Sequence, residues 1–339
     1  MPTEPTLTMG SFVHLERLTD ERGLFERSLG RTRVEGQGYR TEDNARMLVV
    51  ALRETDNPVA DHLRDIAAEF VFAAFEPDGR CRNRMDRAGV WTDRGSTSDC
   101  WGRALCALGT MVSSHPDAAT RDRALEAFEL AARQRSGWPR SMSFAALGAS
   151  EVIAMYPDRR PARMLMTDTI NSIGTAPHGG WKWPERRLTT VNATLAEALL
   201  ACGVGLTQQV AIDRGASILA WLLETETRDG HLSVTGVGGR GPSDLDAQFE
   251  QLPIEVAAMA DACWRACTVT GDQTWTRGVA AAAGWFRGDN DAGLAMYDDV
   301  SGGAYDGLKK SGVVANESAE STLSLISTMQ RARSFATAG

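Results

Sequence analysis

The chain has 339 residues, 43% of them apolar, with a formal net charge of −8 and a pI near 5.3. This apolar fraction is enough for one large domain with a sizeable core. The acidic balance argues against a nucleic-acid partner, because no basic face is available to displace phosphate counterions. No stretch reaches the ~18 apolar residues of a membrane span. The opening MPTEPTLTMGSF also lacks the features of a signal peptide, so we expect no membrane partner.

The six cysteines form no CxxC pair, and most lie in apolar helix patterns. Cys263 and Cys267 are one helical turn apart, but no histidine is near them in sequence, which disfavours a metal site. Reduced core thiols in a cytoplasmic protein are the better interpretation. The sequence predicts no cofactor and no metal.

Apolar residues recur at helical spacing along the whole chain, and alternating strand patterns are almost absent. The pattern predicts six outer helices, at 11–28, 58–76, 117–136, 158–174, 207–226 and 272–287. Each is followed by a more apolar inner helix, beginning near TEDNARMLVVAL, SDCWGRALCALG, RSMSFAALGASEVIAM, TTVNATLAEALLACG, FEQLPIEVAAMADACWRA and SAESTLSLISTM. An open superhelical stack is possible. Six pairs fit a closed all-α (α/α)6 barrel of twelve helices better, as one domain spanning 1–339.

The links between helices differ in length at the two ends of this barrel. Links from inner to outer helices are short, whereas those from outer to inner helices are long and rich in polar and aromatic residues. Long loops collected at one end of a rigid scaffold are where sites are built. This mouth, at the N-termini of the inner helices, is therefore the predicted site.

Aromatic residues concentrate in or beside these long loops. Tryptophan and tyrosine beside polar side chains suit a carbohydrate, because a ring packs on sugar C–H faces while polar groups bind hydroxyls. An alternative is that the rings only cover the open end of the barrel. The predicted aromatic substrate-binding residues are Tyr39, Trp101, Trp181, Trp183, Tyr297 and Tyr305.

Carboxyl groups lie at the same end, and glycosidic cleavage requires two of them with separate roles. Asp43 lies in the first turn of the first inner helix, where the helix dipole favours an anion. The same position also suits a purely stabilising aspartate. We predict Asp43 to be catalytic. The polar residues predicted to contact substrate are Asn44, Arg46, Asp99, Gln251, Asp306 and Glu320.

Glu255, in QFEQLPIEVAAMADAC, is the predicted second catalytic residue. Pro253 suits the opening of a helix, and a glutamate on an apolar inner helix is costly unless it is paired or functional. Glu250 and Glu320 are rival acids, although a capping role would explain Glu320 nearly as well.

Other chemistries have weaker support in the sequence. Ring-shaped sugar epimerases depend on inner-helix histidines, and no histidine falls on a predicted inner helix. The glycines of GVGGRG follow no strand, so they predict a flexible lid over 231–247 rather than a dinucleotide site. The acidic GDNDAGLAMYDD lacks EF-hand spacing.

Six motifs, taken in chain order, resemble those of bacterial (α/α)6 glycoside hydrolases. They are GYRTEDNARMLV, SDCWGRALCALG, QFEQLPIEVAAMADAC, WFRGDNDAGLAMYD, SGGAYDGL and NESAESTL. Within this group the chain looks most like the mycobacterial methylmannose-polysaccharide hydrolases. The resemblance implies internal hydrolysis of an α-1,4-linked, partly 3-O-methylated mannan that releases mannooligosaccharides. It places the family's Asp of DNAR at Asp43 and its Glu of the P-I-E motif at Glu255. Relatives carry Asp where this chain has Glu42.

The resulting hypothesis is a metal-free endo-α-mannosidase, with Glu255 as general acid and Asp43 as general base. Inversion is favoured by analogy with similar barrels. Two alternatives stay open: a glycan phosphorylase, with Arg46 or Arg240 holding phosphate, and a non-catalytic glycan-binding protein. An oligomer is possible.

Overall fold

The computed structural model describes residues 9–175 and 180–336. Residues 1–8, 176–179 and 337–339 lie outside the described part. The first range belongs to the segment on which the signal-peptide prediction rests, and the second belongs to one long loop. In chain order the helices are α1 (Val13–Leu18), α2 (Thr41–Leu52), α3 (Pro58–Ala74), α4 (Asp99–Ser114), α5 (Ala118–Ala131), α6 (Pro139–Met155), α7 (Arg160–Ser172), α8 (Ala193–Leu206), α9 (Gln209–Thr225), α10 (Pro253–Thr270), α11 (Thr276–Arg287) and α12 (Ala319–Ala336).

The even-numbered helices form the inner ring. Each contacts the next, and α12 returns to α2, so the ring is closed. The odd-numbered helices pack outside it: α3 against α2, α5 against α4, α7 against α6, α9 against α8, α11 against α10 and α1 against α12. The (α/α)6 prediction is confirmed, and the open stack is not observed.

Glycine lets neighbouring inner helices approach closely. A Cβ atom on Gly109 of α4 would lie 2.1 Å from the carbonyl oxygen of Gly148 on α6, and one on Gly148 would lie 2.1 Å from that of Leu105. Real Cβ atoms do not tolerate such contacts, so the α4–α6 interface requires glycine at both positions. This close backbone approach accounts for the small residues at the α4–α6 contact.

The first outer helix is shorter than predicted. The sequence pattern predicts it over 11–28, but α1 ends at Leu18. The Asp20 side chain accepts hydrogen bonds from the backbone N–H groups of Arg22 and Gly23, and such an Asx turn competes with helix continuation. The chain then forms the hairpin of β1 (Ser28–Leu29) and β2 (Thr32–Arg33).

The long loops all join an outer helix to the next inner helix, so they gather at the mouth, as the loop lengths predict. Three further strand pairs lie in them: β3 (Tyr39–Arg40) with β4 (Arg84–Met85), β5 (Thr227–Arg228) with β6 (His231–Leu232), and β7 (Gly307–Lys309) with β8 (Gly312–Val314). The β3–β4 pair joins the loop before α2 to the loop before α4. Among the described residues, no helix combines the length and hydropathy needed to cross a bilayer.

Candidate active site

Asp43 is the third residue of α2 and is only 1% exposed. Its Oδ1 has no hydrogen-bond partner within the described residues and lies 3.4 Å from Nη2 of Arg46. Burial raises the pKa of Asp43 to about 7, against the opposing effect of the Arg46 guanidinium. An unpaired buried oxygen is rare in folded proteins and calls for an explanation, such as a water or ligand.

Arg46 links Asp43 to Glu320 on the neighbouring helix α12. Its Nη2 lies 2.9 Å from Oε2 of Glu320 as well as 3.4 Å from Asp43. Burial opposes ionisation of Glu320, but Arg46 and its neighbouring arginines outweigh that effect and lower the pKa of this carboxyl. The two carboxyl groups that share Arg46 therefore have pKa values displaced in opposite directions.

Glu255 is the third residue of α10 and is 5% exposed. Its Oε1 accepts hydrogen bonds from the Val191 N–H at 2.6 Å and from the Thr190 hydroxyl at 3.0 Å. Its Oε2 has one long contact, 3.4 Å, with the Asn192 N–H. Burial raises the pKa of Glu255 to about 7, although these hydrogen bonds favour the anion. With Oε1 held by two donors, Oε2 is the oxygen better placed to carry a proton.

A cavity of about 270 Å³ adjoins Glu255, lined by Thr190, Leu252 and the glycine-containing segment 235–239. That segment is part of the predicted lid, and it is anchored at several points. The N–H groups of Thr235 and Arg240 donate to Glu226 and to the Leu188 carbonyl. The glycines of GVGGRG thus form a wall beside Glu255.

Asn44 and Tyr39, both predicted to contact substrate, stabilise the loop before α2. The Asn44 amide accepts from the Leu24 N–H at 2.9 Å and donates to the Leu24 and Arg40 carbonyls. The Tyr39 hydroxyl donates to Asp20 at 2.7 Å, and its ring is buried. Their polar groups are engaged in fixing the loop, with no free surface directed at the mouth.

Trp101 and Trp183 are completely buried. Their indole N–H groups donate to the Ala131 carbonyl at 3.3 Å and to Glu185 Oε2 at 3.2 Å. Trp181 is partly buried, donates to the Glu185 carbonyl and packs edge-on against Trp221. Of these three predicted substrate-binding tryptophans, only Trp181 retains exposed surface.

On the α10–α12 side, Gln251 accepts from the Trp285 indole at 3.0 Å and is fully buried. Asp306 accepts from the Ser318 N–H at 2.8 Å and the Ser321 hydroxyl at 2.9 Å. It therefore caps the start of α12 from within the loop that leads into this helix.

The remaining predicted ligands lie near the mouth with partial exposure. Asp99 opens α4 and accepts from the Ser141 hydroxyl. Tyr297 and Tyr305 belong to the loop before α12, and both are partly buried. These three side chains keep exposed surface.

The rival residues are engaged elsewhere. Glu250 is half-exposed and pairs with Lys309 at 2.7 Å. Glu42 accepts from Asn83 at 2.8 Å and pairs with Arg40. Arg240 donates to the backbone carbonyls of its own loop and of Thr225.

Two residues outside the predicted set stand out at this end. Trp138, just before α6, is 70% exposed, an unusual value for tryptophan. Arg103 on α4 is buried, and it makes neither an ion pair nor a hydrogen bond within the described part of the chain. The sequence does carry a signal for Arg103, because it is the only charged residue in CWGRALCALG.

No family model and no curated protein matches the chain. Solved structures of similar fold include a sugar epimerase from a ruminal bacterium, with TM-score 0.73, 11% identity and coverage of 96% of this chain and 95% of that chain. A cellulase of C. cellulolyticium has TM-score 0.61, 10% identity and coverage of 92% and 88%. The ent-copalyl diphosphate synthase of Streptomyces platensis has TM-score 0.51, 17% identity and coverage of 86% and 50%. At these identities the likeness establishes the (α/α)6 fold alone, and it gives no sequence-level support to the methylmannose-polysaccharide resemblance.

Proposed function

We propose that this chain is a glycoside hydrolase acting in the cytosol on mannose-containing glycans. The carrying observation is the pair Asp43 and Glu255. Each is the third residue of an inner helix at the loop-rich end, each is almost fully buried, and burial raises each pKa to about 7. Buried carboxyl groups with strongly displaced pKa values at a loop-rich mouth support a site for acid–base chemistry. The similar folds of a cellulase and a sugar epimerase agree with this proposal.

In the proposed reaction, Asp43 is the general base. Its Oδ1 accepts no hydrogen bond from the described residues, which suits an oxygen that accepts a proton from water. Arg46, 3.4 Å away, stabilises the ionised form. The water oxygen bonds to the anomeric carbon as the glycosidic bond breaks, and the water proton passes to Asp43.

Glu255 is the proposed general acid. Hydrogen bonds from Val191 and Thr190 fix Oε1 and so orient Oε2. Oε2 gives its proton to the departing glycosidic oxygen, so no alkoxide is released. Inversion corresponds to carboxyl groups about 6.5–9.5 Å apart, and retention to about 5–5.5 Å. We propose inversion and an endo-acting cut in α-1,4-linked, 3-O-methylated mannan, on the resemblance of the sequence motifs.

The test is incubation of the purified protein with methylated and plain mannans, followed by analysis of new reducing ends. We expect release of oligosaccharides, with Asp43→Asn and Glu255→Gln each reducing the rate by at least about 10²-fold. Glu250→Gln, at the surface pair with Lys309, is the matched control and should retain the wild-type rate. No release from either mannan, or release that survives both substitutions, would overturn the proposal.

The same incubation separates the remaining alternatives. A phosphorylase would form product only when phosphate is present. Of the two arginines predicted to hold phosphate, Arg240 donates to carbonyls, whereas Nη1 of Arg46 has no hydrogen-bond partner within the described residues. An epimerase would alter a sugar without new reducing ends. A glycan-binding protein would retain its ligand unchanged.

A further inference from the structure

A second cavity, of about 250 Å³, runs along the axis of the ring, and all six inner helices contribute to its wall. Its volume falls slightly below the ~300–1,000 Å³ of pockets that take drug-sized ligands. It therefore suits one monosaccharide unit or a small anion rather than a length of polysaccharide. Its apolar wall includes Val49, Phe144, Leu147 and Leu323.

Three other arginines that line this cavity are ion-paired. Asp261 lies 3.3 Å from Arg53 and 2.6 Å from Arg331, and Glu197 lies 3.3 Å from Arg265. Arg331 also stacks on the Trp264 ring, 3.7 Å from its centroid. Each of these three arginines has a carboxylate counter-ion, so none of them needs a ligand to balance its charge.

Arg103 differs from these arginines. Its guanidinium lines the same cavity, its residue is 9% exposed, and no carboxylate of the described residues lies within 4.0 Å of it. Its Nε is buried without a hydrogen-bond partner, as is Nη1 of nearby Arg46. The guanidinium lies over the Phe144 ring, 3.9 Å from its centroid. Glu42, Asp99 and Glu320 act on its charge only from beyond ion-pair distance.

A buried charge without a partner is costly. Desolvation of the guanidinium opposes its burial, and a single cation–π contact offsets only part of that penalty. Arginine presents a planar set of donors that matches carboxylate and phosphate oxygens. The missing partner is thus an anion of that geometry, and the cavity beside Arg103 offers the space for it.

We propose that Arg103 binds an anionic group, a carboxylate or a phosphate, of a ligand that occupies the axial cavity, with Arg46 as the second donor. The group belongs either to a charged sugar or to free phosphate. The inference does not depend on hydrolysis at Asp43 and Glu255, because it rests on the unpartnered donors of Arg103 and Arg46 and on the cavity that they line.

The test is calorimetric titration of the full chain with mannose 6-phosphate, glucuronate, inorganic phosphate and, as the neutral reference, mannose. At least one anionic probe should bind about tenfold or more tightly than mannose. Arg103→Met should weaken that binding by about tenfold or more, as expected for loss of a charge-assisted pair. Binding of inorganic phosphate as tight as that of mannose 6-phosphate identifies free phosphate as the source, and binding of sugar anions alone identifies a charged sugar. Because turnover is not measured, a negative result here leaves the hydrolase proposal standing.

Thermal unfolding without ligand provides the second measurement. If Arg103 is unpaired in the ligand-free protein, Arg103→Met removes an unpaired buried charge and the Tm should rise. The matched control is Arg53→Met, which removes a cavity arginine that is ion-paired with Asp261. It should lower the Tm and leave anion binding within about twofold. No preference for any anionic probe over mannose, or a lower Tm for Arg103→Met with unchanged anion binding, would overturn the proposal.

Discussion

Glu255 on α10 accepts a 2.6 Å hydrogen bond from the backbone N–H of Val191, whose φ of +48° places it in the left-handed region. This contact joins a proposed catalytic group to the turn that begins α8. It also explains why α8 begins at Ala193 rather than near 189, where the sequence pattern predicts it. One carboxyl group thus has a structural contact and a proposed chemical role.

Two substitutions of Glu255 should separate these roles. Glu255→Gln keeps an oxygen to accept from Val191 but carries no acidic proton, so activity should be lost while unfolding changes by less than about 1 kcal/mol. Glu255→Ala leaves the buried N–H of Val191 unpaired and should destabilise the fold by about 1–3 kcal/mol. Urea unfolding and reducing-end release measure the two effects. Equal destabilisation by both variants would show that Oε1 is not the supporting contact.

Asp43→Asn should stabilise the protein in a pH-dependent way. A carboxyl group with a raised folded-state pKa contributes stability below its unfolded pKa and loses it as pH rises through the folded pKa. For Asp43 that loss spans the range from 3.8 to about 7. At about pH 8 the neutral Asn should therefore add on the order of 2–4 kcal/mol to the free energy of unfolding. The gain in stability should diminish toward pH 4. Urea titrations at several pH values measure this trend, and a gain that is the same at every pH would contradict the prediction.

The pH dependence of activity should be bell-shaped, because Asp43 must be ionised and Glu255 protonated. Glu320 raises the pKa of Asp43. Glu320→Gln should therefore shift the acidic limb of kcat/KM to lower pH, by roughly 1 unit. Glu250→Gln is the control, since its side chain pairs with Lys309 at the surface. A shift of the acidic limb to higher pH would contradict this electrostatic arrangement.

Hydrogen exchange should divide the predicted lid, 231–247, into two parts. The N–H groups of Thr235 and Arg240 are hydrogen-bonded and should exchange slowly. Residues 245–247 make no such bond within the described part of the chain, and Leu245 is 83% exposed, so fast exchange is expected there. If the lid closes over a glycan, mannooligosaccharide should slow exchange at 245–247. Identical rates with and without ligand would exclude closure.

The periodicity of the sequence was sufficient to predict the twelve helices, the closed ring and the loop-rich mouth. Helix periodicity is a local property, and the ring follows from the number of pairs. The hydropathy pattern does not locate the end of α1, because the turn formed by the Asp20 side chain, rather than a change in hydropathy, terminates this helix.

The roles of individual mouth residues were less predictable. Whether a tryptophan near a loop binds substrate or belongs to the core depends on the residues that pack against it. For Trp101, the carbonyl that accepts its indole N–H is that of Ala131, 30 residues away in the sequence. The apolar CWGRALCALG segment marks Arg103 as a buried charge, but its lack of an ion pair depends on where the acidic side chains of other helices point, which no local pattern predicts.

The Arg46–Glu320 contact has a consequence for how the protein is made. It joins the first inner helix to the last, residues separated by 274 positions, and Arg53 with Ser327 repeats the bridge farther along the same seam. During synthesis from the N-terminus, Arg46 is exposed long before α12 exists. The environment that raises the pKa of Asp43 is completed only when the final helix docks, so a ribosome-bound chain that lacks α12 would have the first proposed catalytic residue but no working site.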